Sequence, residues 1–131
     1  MYRDLINVAK EVILIADEKA REVTKTNKGT VSAGEGIFDV IFNPNPYRQR
    51  FLNVLEDLEI EQILALQTIM YLGRDKEYDP NLSPAEIFQS NYDSLVSLGV
   101  NKKSIEINQM IEKVPLGDYL REGYHILGID I

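Results

Sequence analysis

The strongest restriction on the fold of this chain comes from the segment Ile60 to Leu72, where apolar residues occupy most faces of a predicted helix. A helix that is apolar on nearly every side is stable in water only when other elements surround it. Gly73 follows directly, and glycine commonly ends helices, so the helix is predicted to stop there. The segment therefore predicts one buried central helix with the rest of the chain packed around it.

Further segments have the three- and four-residue apolar spacing of amphipathic helices, namely 3–24, 46–58, 84–98, 101–113 and 116–127. The apolar phase slips at Asp57–Glu59, which predicts a break before the central helix. Ser83, Pro84 and Glu86 have the spacing of a capping box with proline in the first turn, the clearest helix start in the chain. No two segments read as paired strands. The chain is thus predicted to be all-α, a compact domain of about five or six short helices.

The length of 131 residues suits a single domain, 1–131, with an N-terminal helix and loop over 1–44 and a helical core over 45–129. Residues 24–36 are rich in glycine and polar side chains and are predicted to form a loop. Residues 37–42 have the β-branched and aromatic content of a strand, but no partner strand exists, which favours a short helix. Gly34-Glu35-Gly36 lacks the third glycine and the lysine of a phosphate-binding loop and is interpreted as part of the loop.

Charge and composition exclude several classes of function. The chain has 14 basic and 21 acidic residues, a net charge of −7, and therefore lacks the basic surface that nucleic acids and anionic membranes require. No uncharged apolar stretch reaches the ~18 residues of a membrane span, and no signal peptide is visible, which favours a cytoplasmic protein. Cysteine is absent, which excludes disulfides and thiolate zinc sites.

Residues that could carry chemistry are few. His125 is the single histidine and is interpreted as a surface residue near a helix C-terminus rather than a proton donor. The acidic residues Glu56, Asp57, Glu59 and Glu61 lack the spacing of a calcium loop and are interpreted as a solvated helix start. No catalytic or cofactor motif occurs, so no metal or cofactor is expected, and a role other than an enzyme is favoured.

The central segment and the C-terminal part contain an ordered series of short motifs. These are Glu61-Gln62, Leu64-Ala65-Leu66, Tyr71-Leu72-Gly73-Arg74, then Pro115-Leu116, Tyr119-Leu120, Gly123 and Leu127-Gly128. From about residue 45 to 129, this pattern resembles a bacterial family known only as a domain of unknown function. Asp75 departs from it where the family usually has another glycine, and a tyrosine replaces its usual tryptophan. The resemblance implies a helical bacterial protein and brings no catalytic residues.

Two functions are compatible with the sequence, and the first of them is favoured. The first is a protein-interaction or regulatory module, including a homodimer, favoured by the seven tyrosines and by two adjacent apolar rows on the first helix, Leu5–Val12–Ala16 and Ile6–Ile13–Ala20. The second is a small-molecule or anion site centred on Arg74. A concave pocket at Arg74 would favour the second, and a flat apolar patch on the first helix would favour the first.

The candidate site residues are grouped around the end of the central helix and the start of the last one: Tyr71, Arg74, Asp118, Tyr119 and Glu122. An arginine that leaves a buried helix needs a counter-charge. Arg74 is therefore predicted to pair with Asp118 or Glu122 and so to connect the two helices, unless it anchors a ligand instead.

Overall fold

The computed structural model describes residues 1–28 and 46–131. A short 3-10 helix, Tyr2–Leu5, leads into α1 (Ile6–Lys28), and five more helices follow: α2 (Pro46–Leu55), α3 (Ile60–Asp75), α4 (Pro84–Ser97), α5 (Lys103–Ile111) and α6 (Leu116–Ile126). The described ranges contain no strand. The predicted all-α fold is confirmed.

The central position of α3 is confirmed, because every residue from Ile63 to Met70 is buried. Helices α4, α5 and α6 and the N-terminal 3-10 helix pack around it. The prediction that Gly73 ends α3 is wrong. The helix continues to Asp75, and Lys76 ends it in the left-handed conformation with φ 55°.

Gly73 is instead the point where α3 and α6 approach each other most closely. A Cβ atom at Gly73 would lie 1.8 Å from the backbone oxygen of Tyr119 on α6. Gly123 on α6 is in the reciprocal position, since a Cβ there would lie 2.0 Å from the backbone oxygen of Ile69. The two glycines allow the two backbones to touch, which no larger residue would permit.

The start signals of the helices behave largely as the sequence predicts. Ser83 and Glu86 form the expected capping box, in which the Glu86 backbone NH donates to Ser83 Oγ at 3.3 Å. The break near Asp57 is present, because α2 ends at Leu55 and α3 begins at Ile60. The prediction that a loop begins at Thr24 is wrong, since α1 extends to Lys28. The predictions for residues 29–36 and 37–42, including Gly34-Glu35-Gly36, lie outside the described residues.

Helix α1 uses much of its wide apolar stripe inside the chain. Ala9, Val12 and Ile13 are buried in the core, to which α2 and α6 also contribute, and Leu5 of the preceding 3-10 helix is buried in the same core. Two ion pairs connect α1 to its neighbours: Asp17 pairs with Arg121 on α6, and Glu18 pairs with Arg50 on α2. The width of the stripe is therefore accounted for largely by packing within one chain.

Candidate functional site

The five predicted site residues do not form one site. Tyr71 and Arg74 line a cleft beside α3, whereas the other three lie on α6 and have partners elsewhere. Asp118 pairs with Arg121 at 3.0 Å, and Glu122 lies 3.9 Å from the Lys76 ammonium. Tyr119 donates its hydroxyl hydrogen to the backbone oxygen of Val114 at 3.1 Å.

The predicted pairing of Arg74 with Asp118 or Glu122 is wrong. Its Nε donates to Asp75 Oδ1 at 2.8 Å and its Nη2 to Asp75 Oδ2 at 3.2 Å. The reason is helical geometry: adjacent residues project about 100° apart, so Gly73 faces α6 and Arg74 projects away from it. Arg74 consequently lies on the wall of the cleft.

This cleft, here called the polar cleft, has a volume of about 690 Å³ and opens between α3, the end of α4 and α5. Polar side chains from all three helices converge on it, including Gln67, Thr68, Tyr71, Arg74, Asn91, Ser94, Glu106, Gln109 and Lys113. Its size falls within the range of about 300–1,000 Å³ that is typical of ligand pockets. It is the concave pocket at Arg74 that the ligand-site hypothesis required.

A buried hydrogen-bond network lies at the base of the polar cleft. Gln67 and Glu106 are 1% and 4% exposed, so their polar atoms depend on protein partners. Gln67 Nε2 donates at 2.8 Å to both the backbone oxygen and Oε2 of Glu106. Glu106 Oε1 accepts from the backbone NH and Nδ2 of Asn101 at 3.1 and 3.2 Å. The network connects α5 and the loop before it to α3. Because α3 and α5 form two walls of the cleft, it also holds these walls in place.

The side wall of the polar cleft combines one aromatic ring with two cations. The Arg74 guanidinium carbon lies 4.6 Å from the centre of the Tyr71 ring, and the Lys113 ammonium lies 5.9 Å from it. Burial raises the pKa of the Tyr71 hydroxyl, which is therefore neutral at physiological pH and can both donate and accept. The hydrogen bond that Arg74 donates to Asp75 raises the pKa of Arg74, so Arg74 stays charged.

Three important residues of the polar cleft, Gln67, Glu106 and Lys113, are absent from the predicted site. Gln67 did carry a signal, because it is a polar side chain within the otherwise apolar run of α3. A polar residue at a buried position requires a partner, and that partner proves to be Glu106. Lys113 lies beyond the end of α5, and nothing in its local sequence indicated that it faces Tyr71.

The tyrosines divide between core and surface. Tyr124 is completely buried and donates its hydroxyl hydrogen to the backbone oxygen of Tyr2 at 2.8 Å. Tyr71 and Tyr119 are half-buried, and Tyr78 is exposed. Burial raises the pKa of Tyr124 strongly, which keeps its hydroxyl protonated as a donor. The tyrosines therefore serve packing as well as surface contacts.

The described ranges 1–28 and 46–131 lack two features typical of other kinds of site. No group of three or more His, Asp or Glu side chains there could hold a metal ion. No helix in those ranges is long and apolar enough to cross a lipid bilayer. Glu59 starts α3, where its backbone NH donates to Gln62 Oε1 at 2.8 Å, which fits the interpretation of the acidic cluster as a helix start.

Comparisons of the chain with protein-family models, with curated proteins and with solved structures find no match. The family resemblance of residues 45–129 therefore stays a prediction.

His125 is exposed at the end of α6, as expected, and its Nδ1 lies 2.9 Å from Asp130 Oδ1. The hydrogen bond to Asp130 raises the pKa of His125 above its ordinary value of 6.5. A raised histidine pKa stabilises the folded state below about pH 6.5, and this contribution is lost as pH rises through the folded-state pKa. We expect an NMR titration of the His125 ring to give a pKa above 6.5 that Asp130→Asn lowers. An identical pKa in the two proteins would contradict the pairing.

Proposed function

We propose that this protein binds a small hydroxylated carboxylate in the polar cleft. The observation that carries the proposal is the convergence of polar groups from α3, α4 and α5 around two cations that share the Tyr71 ring. Ligand sites are typically concave and preformed, with a few polar groups that fix the orientation of the ligand. The buried Gln67–Glu106 hydrogen bond holds the walls in place before any ligand arrives.

The charges of the polar cleft favour one carboxylate over a phosphate or polyphosphate. Arg74 and Lys113 are its cations, but Asp75, Glu77 and Glu106 also line it, so the cleft has no excess of positive charge. These carboxylates repel a dianion more strongly than a single carboxylate, which carries less charge. Of these two cations, Arg74 is already paired with Asp75, whereas Lys113 forms no ion pair with a carboxylate among the described residues.

The rest of the lining favours a ligand with hydroxyl groups. Asn91, Ser94 and Gln109 supply amide and hydroxyl groups, which can both donate and accept hydrogen bonds. The Tyr71 ring offers an apolar face of the kind that supports the C–H side of a polyol. A carboxylate that carries several hydroxyls would use the cations, the amide and hydroxyl groups, and the Tyr71 ring.

The test compares gluconate with glucose, which lacks the carboxylate but keeps the polyol character. We expect gluconate to shift the backbone amide resonances of residues 67–74 and 106–113 in an NMR titration, with glucose causing much smaller shifts. Lys113→Gln should weaken gluconate binding by about tenfold, the value of ~1.4 kcal/mol for a charge-assisted hydrogen bond. Lys102→Gln, with the same charge change outside the cleft, should leave the affinity unchanged. Equal shifts with both ligands, or equal effects of both variants, would contradict the proposal.

Association with a protein partner or a second copy of the chain stays a second candidate. It is favoured by the exposed apolar residues around the connection of α4 to α5, where Leu98 is 85% and Val100 46% exposed. On α1, which motivated that prediction from the sequence, Leu14 is the large apolar residue that remains well exposed among residues 6–22. The observations for this function are therefore weaker than those for the polar cleft.

A further inference from the structure

We infer that a second cleft, between α1 and the segment 113–118, binds a single-chain amphipathic carboxylate. This α1 cleft has a volume of about 610 Å³, and among the described residues Lys113 is the one lining residue that it shares with the polar cleft. The inference concerns a different ligand class and does not depend on the proposed function.

The interior of the α1 cleft is apolar. Its deep wall consists of Phe51, Ile111 and Leu116, which are 2%, 6% and 3% exposed. Ala16 and Ala20 of α1 form the opposite wall, where their small side chains leave room between the helices. An alkyl chain placed there removes apolar surface from water on both sides, which is the main driving force for binding such a group.

The charged residues of the α1 cleft give it the opposite sign to the protein as a whole. Four cations line it, Lys19, Arg21, Lys113 and Arg121, against two carboxylates, Asp17 and Asp118. Both carboxylates pair with Arg121. Over the described residues, no carboxylate forms an ion pair with Lys19, Arg21 or Lys113, although the chain carries a net charge of −7. An excess of cations beside an apolar cleft in an acidic protein is suited to an anionic head with an apolar tail.

The occupant is a free molecule rather than a lipid in a bilayer. The overall negative charge of the protein opposes approach to an anionic membrane surface, where long-range charge acts over the whole molecule. Within the cleft, only the local cations count, because a partly buried charge is less screened than the distant acidic residues. A monomeric fatty-acid-like carboxylate avoids the anionic membrane surface and can still pair with the cations of the cleft.

The experiment titrates octanoate into the whole protein, with 1-octanol and octylammonium as matched probes of equal chain length. We expect octanoate to shift the methyl resonances of Ile111 and Leu116, and the two other probes to bind more weakly. Lys19→Gln combined with Arg21→Gln should weaken octanoate binding by about tenfold, because two cations that can pair with the carboxylate are removed. Arg3→Gln combined with Lys10→Gln removes the same charge outside the cleft and should change nothing.

Three results would overturn the inference: no methyl shifts with octanoate, equal binding of octanoate and octylammonium, or binding to phosphatidylglycerol vesicles with none to free octanoate. Arg74→Gln tests the independence of the two clefts, because Arg74 lines only the polar cleft of the two. It should leave octanoate binding unchanged. A loss of octanoate binding in Arg74→Gln would place the ligand in the polar cleft and contradict the inference.

Discussion

Gly123→Ala and Gly73→Ala are each expected to destabilise the fold by about 3 kcal/mol or more, the upper range for overpacking, because the added methyl meets backbone rather than a movable side chain. At Gly73 the new Cβ would lie 1.8 Å from the Tyr119 oxygen, and at Gly123 it would lie 2.0 Å from the Ile69 oxygen. Relief requires α3 and α6 to move apart, which opens the core at its most buried helix. Urea denaturation measures the loss as a fall in the midpoint.

Gly117→Ala provides the matched control on the same helix. Its Cβ would lie 2.5 Å from Asp17 Oδ1, and the other near atoms also belong to the side chains of Asp17 and Arg121, which can move more easily than backbone. Alanine also favours a helix over glycine by about 1 kcal/mol, which offsets part of any cost. We expect Gly117→Ala to be much less destabilising than the other two. Similar midpoints for all three variants would show that the two helices do not touch through their backbones.

Gln67→Leu is expected to destabilise the fold by about 2–4 kcal/mol, since it leaves a buried carboxylate oxygen without its donor. The substitution keeps a similar volume and removes the two hydrogen bonds from Gln67 to Glu106, each 2.8 Å long. Asn101 continues to donate to the other oxygen of Glu106, which keeps the cost below that of an entirely unpaired charge. Urea denaturation again measures the loss.

A double variant distinguishes the cost of breaking the Gln67–Glu106 hydrogen bond from the cost of altered packing. Adding Glu106→Leu to Gln67→Leu removes the stranded carboxylate, so the double variant should be more stable than Gln67→Leu alone. Gln89→Leu, on the exposed face of α4, should change stability by no more than about 0.5 kcal/mol. Additive losses for Gln67→Leu and Glu106→Leu would contradict the coupling of the two residues.

Much of the fold can be predicted from local patterns in the sequence. The apolar run of α3 predicts its burial, and the Ser83–Glu86 capping box predicts the start of α4. The prediction that Gly73 ends α3 is wrong because glycine occurs in helices for two reasons. It can end a helix, or it can allow another backbone to approach closely. Only the position of Gly123 on a distant helix decides between them.

The candidate site was only partly predictable, because its geometry depends on contacts between distant residues. Arg74 was predicted to follow the end of α3 and lies in its last turn instead. The direction of its side chain depends on the contact of Gly73 with α6, which no local pattern indicates. The buried pair Gln67–Glu106 joins residues 39 positions apart, and Lys113 approaches Tyr71 from beyond α5. Such pairings arise from packing of whole helices, which the spacing of residues within one helix does not encode.

The most direct test of the polar cleft is a crystal structure of the protein grown or soaked in gluconate. The account predicts ordered density in the polar cleft, with the carboxylate within hydrogen-bond distance of Lys113 and the hydroxyls facing Asn91 and Ser94. An empty polar cleft at a concentration that saturates the NMR titration, or gluconate bound elsewhere on the protein, would contradict it.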